Sequence, residues 1–228
     1  MKILAIETAT KASSVAVIDD EKFLAEINRE DIKAHSETLM PQIEEVLKIS
    51  GAEKIDAVAV SIGPGSFTGL RIGLAAAKAL AYAWKVKIIG VPTLQAMAYH
   101  FPTNSATILP MLDAQKNRAY VQKFKNCAAQ SEIEVKSIEE IISSAEKIDG
   151  EVFLCGDVLH KIKISLPKNV KIAPINLRMP RAVNVALCGK KFFDEEKFSN
   201  VMNLEPLYIR RSEAEVLWEK RQKLLSEK

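Results

Sequence analysis

An internal repeat of the first hairpin sets the strongest limit on how this 228-residue chain folds. The segment ILAIETATKASSVAVID (3–19) can be aligned with ILPMLDAQKNRAYVQKF (108–124). Each has an apolar strand that ends in an acid, Glu7 or Asp113, followed by a short polar turn and an apolar return strand. Because a repeated supersecondary unit indicates duplication, the sequence predicts two lobes that begin in the same way.

The periodicity of the remaining sequence predicts a βββαβα unit in each lobe. A helix over 36–49, the buried strand DAVAVSI and a helix over about 67–84 follow the first hairpin. This is the layout of the α/β, two-lobed actin/sugar-kinase/Hsp70 fold, a ribonuclease H-like architecture in which two hairpins grip the phosphates of ATP. We predict a first lobe of 1–103, a second of 104–204, and a final helix in 205–228 that packs back on the first.

Composition narrows the class of protein. Apolar residues make up 48% of the chain and charged residues 27%, the balance of a globular protein with a core of its own. The apolar start is interrupted by Glu7 and is too short for a signal peptide, and no run is long enough to span a bilayer. The three cysteines have no metal-type spacing. We therefore expect a cytoplasmic protein with reduced thiols and no membrane contact.

The glycine-rich turn SIGPGSFTG (61–69) does not match a nucleotide-binding motif. A P-loop ends in Gly-Lys-Ser/Thr, but Leu70 and Arg71 follow Gly69 here. The dinucleotide fingerprint also fails, since its third glycine would fall at Thr68. The pattern favours a tight strand-to-helix turn capped by Ser66 or Thr68, and the alternative is contact with a phosphate or carboxylate at the helix N-terminus.

The helix after this turn is apolar on nearly all sides. Between Leu70 and Trp84 only Arg71 and Lys78 carry charge. A helix of this kind must be buried on more than one face. We favour one face on the sheet and one that receives a partner, with a helix enclosed on both sides by its own domain as the alternative.

Small residues are predicted to form the centre of that partner surface. They recur every four residues, a spacing that lets another helix approach closely, and the helix near 36–49 is expected to lie beside them. The predicted interface residues are Leu39, Ile43, Gly69, Leu70, Ile72, Gly73, Leu74, Ala77 and Ala81. The side opposite the small stripe carries Ile72, Ala75, Ala79 and Tyr82. Without its partner, the same surface should pair with a second copy about a two-fold axis.

Glu7 and Asp113 are the best candidates for nucleotide chemistry, with Thr8 beside the first of them. Acids at these positions could orient Mg²⁺ or a water molecule, while the turns offer backbone N–H groups to phosphate. The turns TATKAS and AQKNRA contain no glycine, however, although close approach of a phosphate usually requires one. We expect ATP or ADP binding to be weak or absent. The three histidines are far apart, with no metal-binding motif, so no metal site is expected.

Several segments, in order over nearly the whole chain, resemble the TsaB family, formerly called YeaZ. They are ILAIETAT at the start, HSETLMP (35–41), GPGSFTGLRIGLAAAKALA (63–81), DAQKNRAYV (113–121) and EPLYIRRSEAE (205–215). The glycine-rich segment is the most specific of them. One departure is the turn QKNR in the second hairpin, where the resemblance implies a glycine, and this weakens the case for nucleotide binding by the second lobe.

The resemblance implies a bacterial subunit of the tRNA threonylcarbamoyladenosine machinery with the two-lobed fold. The family is a shortened, non-catalytic paralogue of TsaD, the subunit that transfers the threonylcarbamoyl group to the adenosine beside the anticodon. It implies pairing with TsaD through first-lobe helices, recruitment of the ATPase TsaE, and contact with tRNA only through the complex. This chain lacks the paired histidines of TsaD.

Two enzyme hypotheses compete with this interpretation. The first is an active ATPase or small-molecule kinase of the same fold, with Glu7 and Asp113 placed around Mg²⁺. The second is a metalloprotease, in line with an older glycoprotease label of the family, and it requires a metal site that the sequence does not provide.

Overall fold

Two mixed β-sheets with the same strand order form the framework of the protein. The structure is a computed structural model and describes residues 1–30, 35–101 and 105–209. The first sheet has the order β3-β2-β1-β4-β5. Its strands are β1 (Lys2–Glu7), β2 (Ala12–Asp19), β3 (Lys22–Glu30), β4 (Ala57–Gly63) and β5 (Lys87–Pro92). The pairs β1–β2 and β2–β3 are antiparallel, whereas β4 runs parallel to both β1 and β5.

Helices cover both faces of this sheet. Helices α1 (His35–Ser50) and α2 (Phe67–Trp84) pack on one face. Helix α3 (Thr93–Ala98) lies beyond β5, and α5 (Ala182–Asp194) packs on the other face. Burial on both faces explains why β1 and β4 are continuously apolar instead of alternating.

The second sheet repeats this arrangement with the order β10-β7-β6-β11-β12. Its strands are β6 (Thr107–Asp113), β7 (Arg118–Val121), β10 (Glu134–Ser137), β11 (Val152–Cys155) and β12 (Val170–Ile172). A small hairpin, β8 (Phe124–Lys125) and β9 (Ala128–Ala129), pairs with β6. Helix α4 (Ile138–Glu146) begins at a capping box formed by Ser137 and Glu140.

The matching strand orders confirm the predicted duplication. The hairpins β1–β2 and β6–β7 occupy equivalent places, and α1 and α4 each connect the third strand of a sheet to its fourth. The lobes differ after the fourth strand. The first lobe has the 18-residue helix α2 there, while the second has only a 3₁₀ turn at Leu159–Lys161.

The structure differs from the predicted lobe boundary at α5. This helix was assigned to the second lobe of 104–204, but it packs against β1 and β2 of the first sheet. The backbone N–H of Ala182 donates to Ser14 Oγ at 2.8 Å, and that of Val183 donates to Glu26 Oε1 at 3.0 Å. The chain therefore returns to the first lobe before residue 204, because the second face of the first sheet is apolar and needs a cover.

The segment after α5 stays on the first lobe. The N–H of Leu207 donates to the carbonyl of Ile62 at 2.6 Å, beside the end of β4. The predicted final helix in 205–228 has most of its length in 210–228, which lies outside the described residues. Among the described helices, none is long and apolar enough to cross a membrane.

Candidate partner interface and the closed nucleotide site

The small-residue stripe of α2 faces the chain's own first sheet. A Cβ on Gly69 would lie 2.1 Å from the carbonyl oxygen of Thr8, and one on Gly73 would lie 2.2 Å from Thr8 Oγ1. Ala77 and Ala81 are fully buried in the same core. The stripe thus lets α2 approach the end of β1 closely, and does not present a surface for another protein.

This orientation corrects the predicted interface. Leu70 and Leu74 of α2, together with Leu39 and Ile43 of α1, are also buried within the chain. Of the nine predicted residues, Ile72 alone keeps a partly exposed side chain. The physical reason is that an all-apolar helix has no polar face to fix its rotation. The side of α2 that carries Gly69 and Gly73 therefore packs against Thr8, where the backbones of α2 and β1 come closest.

The opposite side of α2 is the exposed one. Ala75, Ala79 and Ala83 recur every four residues and are exposed, and Tyr82 beside them is 72% exposed. We call these four residues the outer face of α2. Helix α1 packs next to α2, and its Met40 is 43% exposed. Three small residues and a tyrosine on a helix form an apolar surface that a partner helix can approach closely.

An aromatic cluster borders this face near the start of α2. The Arg71 guanidinium lies 3.9 Å from the centre of the Phe67 ring, and Arg71 Nε donates to Tyr208 OH at 2.9 Å. The rings of Phe67 and Tyr208 are 5.0 Å apart. These contacts hold the segment 205–209 along the N-terminal half of α2. The sequence offered no signal for them, since the residues are about 140 positions apart.

The glycine-rich turn is a tight strand-to-helix connection, as one of the two interpretations predicted. Ser66 Oγ caps α2 by accepting from the N–H of Gly69 at 3.2 Å. The N–H of Ser66 donates to the carbonyl of Ala9 at 2.7 Å, and a Cβ on Gly65 would lie 2.4 Å from that oxygen. The turn is therefore packed against the first hairpin, and these two N–H groups are already used within the chain.

Glu7 is buried behind this turn. It is 1% exposed, and its Oε1 accepts from the N–H of Ala9 at 2.6 Å, while Oε2 has no hydrogen-bond partner. Burial raises the pKa of Glu7 to about 7, although Ala9 and the nearby Ser61 hydroxyl oppose the rise. Ser61 does not reach Glu7 with the geometry of a hydrogen bond. Thr8 is fully buried and donates to the carbonyl of Gly69 at 2.8 Å.

Asp113 lies in the equivalent place of the second lobe but is more exposed. Lys161 Nζ contacts Asp113 Oδ2 at 2.7 Å, and Asp113 Oδ1 accepts from the N–H of Gln115 at 2.9 Å. The N–H of Asp113 donates to Asp157, whose pKa is raised by burial and further by the Asp113 charge. The three residues of the turn, 115–117, all adopt positive φ angles without a glycine. Lys161 and Asp157 were missed from the sequence, because nothing in their spacing pointed to Asp113.

The described residues contain no group of three or more His, Cys, Asp or Glu side chains that could hold a metal ion. Glu7 and Thr8 are buried, Thr8 against Gly69 of the turn, and Asp113 is paired with a lysine. The three predicted nucleotide-site residues are therefore committed to contacts within the chain. The outer face of α2, by contrast, is exposed and open to a partner.

Known proteins of one family are similar to this chain over nearly its whole length. The family model described as "TsaD: tRNA N6-adenosine threonylcarbamoyltransferase" matches residues 23–218. The tRNA threonylcarbamoyladenosine biosynthesis protein TsaB of Escherichia coli is 31% identical, covering 96% of this chain and 98% of that protein. The protein of the same name from Bacillus subtilis is 29% identical, covering 98% of this chain and all of that protein.

Solved structures give the same answer for the fold. YeaZ from Pseudomonas aeruginosa superposes with a TM-score of 0.74 at 19% identity, over 91% of this chain and 99% of that one. The ethanolamine utilization protein EutJ from Carboxydothermus hydrogenoformans superposes with a TM-score of 0.55 at 12% identity, over 83% of this chain and 90% of that one. The predicted actin/sugar-kinase/Hsp70-like fold is confirmed. The chain belongs to the TsaB (YeaZ) family, within the wider group that the TsaD model describes.

Proposed function

We propose that this chain is a non-catalytic subunit of the machinery that makes threonylcarbamoyladenosine in tRNA, and that it pairs with TsaD through the outer face of α2. The proposal takes its process from the curated relatives, which are named for this biosynthesis. The observation that carries the pairing is the exposed, uncharged row Ala75, Ala79 and Ala83 with Tyr82 beside it, on the side of α2 that faces away from the sheet. A solvated helix face normally carries charge, so an apolar one favours a partner.

The state of the acidic residues favours a non-catalytic role. Glu7 and Thr8 are buried within the chain, and Asp113 is paired with Lys161. The competing ATPase or kinase hypothesis needs both acids accessible to Mg²⁺ and phosphate. Calorimetry of the isolated chain with Mg·ATP tests it, since micromolar binding together with turnover would favour the enzyme.

The remaining partners follow from the same proposal. TsaD transfers the threonylcarbamoyl group, TsaE joins the pair, and the complex acts on tRNA in the cytoplasm. When TsaD is absent, the outer face pairs with its counterpart on a second copy, because an isologous interface covers both apolar faces at once.

The test is a charge placed on the outer face. Ala79→Arg should leave the fold intact, since Ala79 is exposed, and should weaken TsaD binding by at least about thirtyfold, or about 2 kcal/mol. Modification of an unmodified tRNA transcript by the reconstituted complex should fall with it. Ala129→Arg is the matched control, because it places the same charge on an exposed alanine of the second lobe. If a folded Ala79→Arg variant binds TsaD normally, the TsaD interface does not include the outer face of α2.

A further inference from the structure

A basic groove lies at the amino ends of the parallel strands, away from the glycine-rich turn. It has a volume of about 610 Å³ and is lined by Lys54 and Asp56 before β4, Lys85 and Lys87 around the start of β5, and Trp84 at the end of α2. A groove of this size can hold one to two nucleotides. Three lysines against one aspartate give it a net positive charge.

These lysines are not committed to ion pairs. Within residues 1–30, 35–101 and 105–209, no acidic side chain pairs with Lys54, Lys85 or Lys87, although other lysines of the chain, such as Lys190, do form such pairs. Asp56 is engaged by the backbone N–H of Lys2 at 2.8 Å. The Lys87 ammonium lies 5.0 Å from the centre of the Phe198 ring, a contact that leaves its charge unneutralised. The groove therefore has cations available to an anionic ligand.

The walls of the groove are fixed by backbone contacts. Lys85 adopts a left-handed conformation at the C-terminus of α2, where its N–H bonds to the carbonyls of Ala81 and Tyr82. The N–H of Ser199 donates to the carbonyl of Ile88 at 2.9 Å, and this pairing joins the segment after α5 to the start of β5. Trp84 is 37% exposed beside these lysines. An aromatic ring next to cations in an open groove is the combination that binds a nucleic-acid strand by stacking and by charge.

We propose that this groove binds a strand of RNA, with Lys54, Lys85 and Lys87 neutralising phosphates and Trp84 stacking on a base. The chemistry of the groove selects a phosphodiester strand that carries bases, and the choice of RNA rests on the proposed role in tRNA modification. The chain then contacts tRNA directly, as well as through its complex with TsaD. The groove shares no residue with the outer face of α2, so the two surfaces can be tested apart.

The experiment measures anisotropy of a labelled, unmodified tRNA transcript titrated with the full chain at about 50 to 200 mM salt. The triple variant Lys54→Ala/Lys85→Ala/Lys87→Ala should weaken binding about tenfold at low salt and should flatten the slope of log affinity against log salt by about 2, since each phosphate contact contributes about 0.7. Trp84→Leu should weaken binding several-fold while keeping the slope, because stacking does not depend on salt.

The matched control is Lys125→Ala/Lys147→Ala/Lys163→Ala, which removes the same charge from exposed lysines of the second lobe. Equal RNA binding by the two triple variants would overturn the proposal, as would displacement of the transcript by AMP or inorganic phosphate as readily as by unlabelled tRNA. TsaD binding by the groove variant should be unchanged. If the groove variant loses TsaD binding, the groove belongs to the protein interface and the RNA proposal is wrong. If only Ala79→Arg loses TsaD binding, the result concerns the proposed function and leaves the RNA proposal unaffected.

Discussion

At the scale of single residues, Glu7 shows how burial changes the chemistry of an acid. The sequence indicates Glu7 as a possible ligand of Mg²⁺, but the structure buries its side chain and leaves Oε2 unpartnered. Because burial raises its pKa to about 7, the folded state holds a proton at Glu7 that the unfolded chain, with a pKa of 4.5, releases between pH 4.5 and 7. The stability that this proton contributes is present at acid pH and is lost as the pH rises through 7.

Glu7→Gln should therefore stabilise the protein at pH 8 by about 1–3 kcal/mol and change little at pH 5. Glutamine keeps the shape of the protonated acid and removes the cost of the buried charge. Urea unfolding at the two pH values measures the difference. Glu44→Gln, on the exposed side of α1, controls for the change in net charge. A difference that does not depend on pH would mean that Glu7 titrates normally in the folded protein.

At the scale of elements, α2 shows that a stripe of small residues on a helix can indicate either a partner surface or close packing within the chain. Gly→Ala in a helix normally stabilises by up to about 1 kcal/mol, because alanine is the better helix former. Gly73→Ala should instead destabilise by about 1–3 kcal/mol, since the new methyl group would lie 2.2 Å from Thr8 Oγ1. Thermal unfolding measures it. Ala79→Gly exchanges the same residues on the exposed side of α2 and should show only the ordinary propensity cost. A stabilising Gly73→Ala would mean that the stripe faces outward.

Most elements could be predicted from the sequence, but the faces of α2 could not. Hydrophobic periodicity, the glycine-rich turn and the cap at Ser66 predict a helix near 67–84, and the structure has Phe67–Trp84. The rotation of α2 depends on Thr8, some 60 residues earlier, whose contact with Gly69 and Gly73 no local pattern encodes. The sequence places Ala75 and Ala79 of the outer face on the side opposite the small stripe, which was predicted to face the sheet. The predicted direction of burial was wrong: the small-residue stripe packs on the sheet and the opposite side of α2 is exposed. That an exposed side of α2 receives a partner stays a prediction.

At the scale of the whole molecule, the repeated hairpin predicts the two sheets but not how the chain returns. An amphipathic helix such as α5 would cover either sheet equally well by periodicity alone. Besides its apolar contacts, α5 has a polar anchor on the first sheet, and we expect this anchor to decide between the two sheets: the Glu26 side chain is 1% exposed, accepts from Ser14 and from the N–H of Val183, and pairs with Arg181. Arg181 and Val183 lie about 155 positions from Glu26, so no local pattern in the sequence could indicate their part in the anchor.

Glu26→Ala should detach the start of α5 from the first sheet. It removes the acceptor at the helix N-terminus and leaves the partly exposed Arg181 unpaired, which together should cost about 2–3 kcal/mol of unfolding free energy. Hydrogen exchange should quicken in α5 before it does in β6 and β11 of the second sheet, because the helix depends on the anchor and those strands do not. Lys191→Ala is the control: it removes an exposed pair with Glu195 next to the end of the same helix and should cost no more than about 0.5 kcal/mol. If both variants unfold alike and α5 stays protected with Glu26→Ala, apolar packing alone holds the helix, and the anchor does not choose between the sheets.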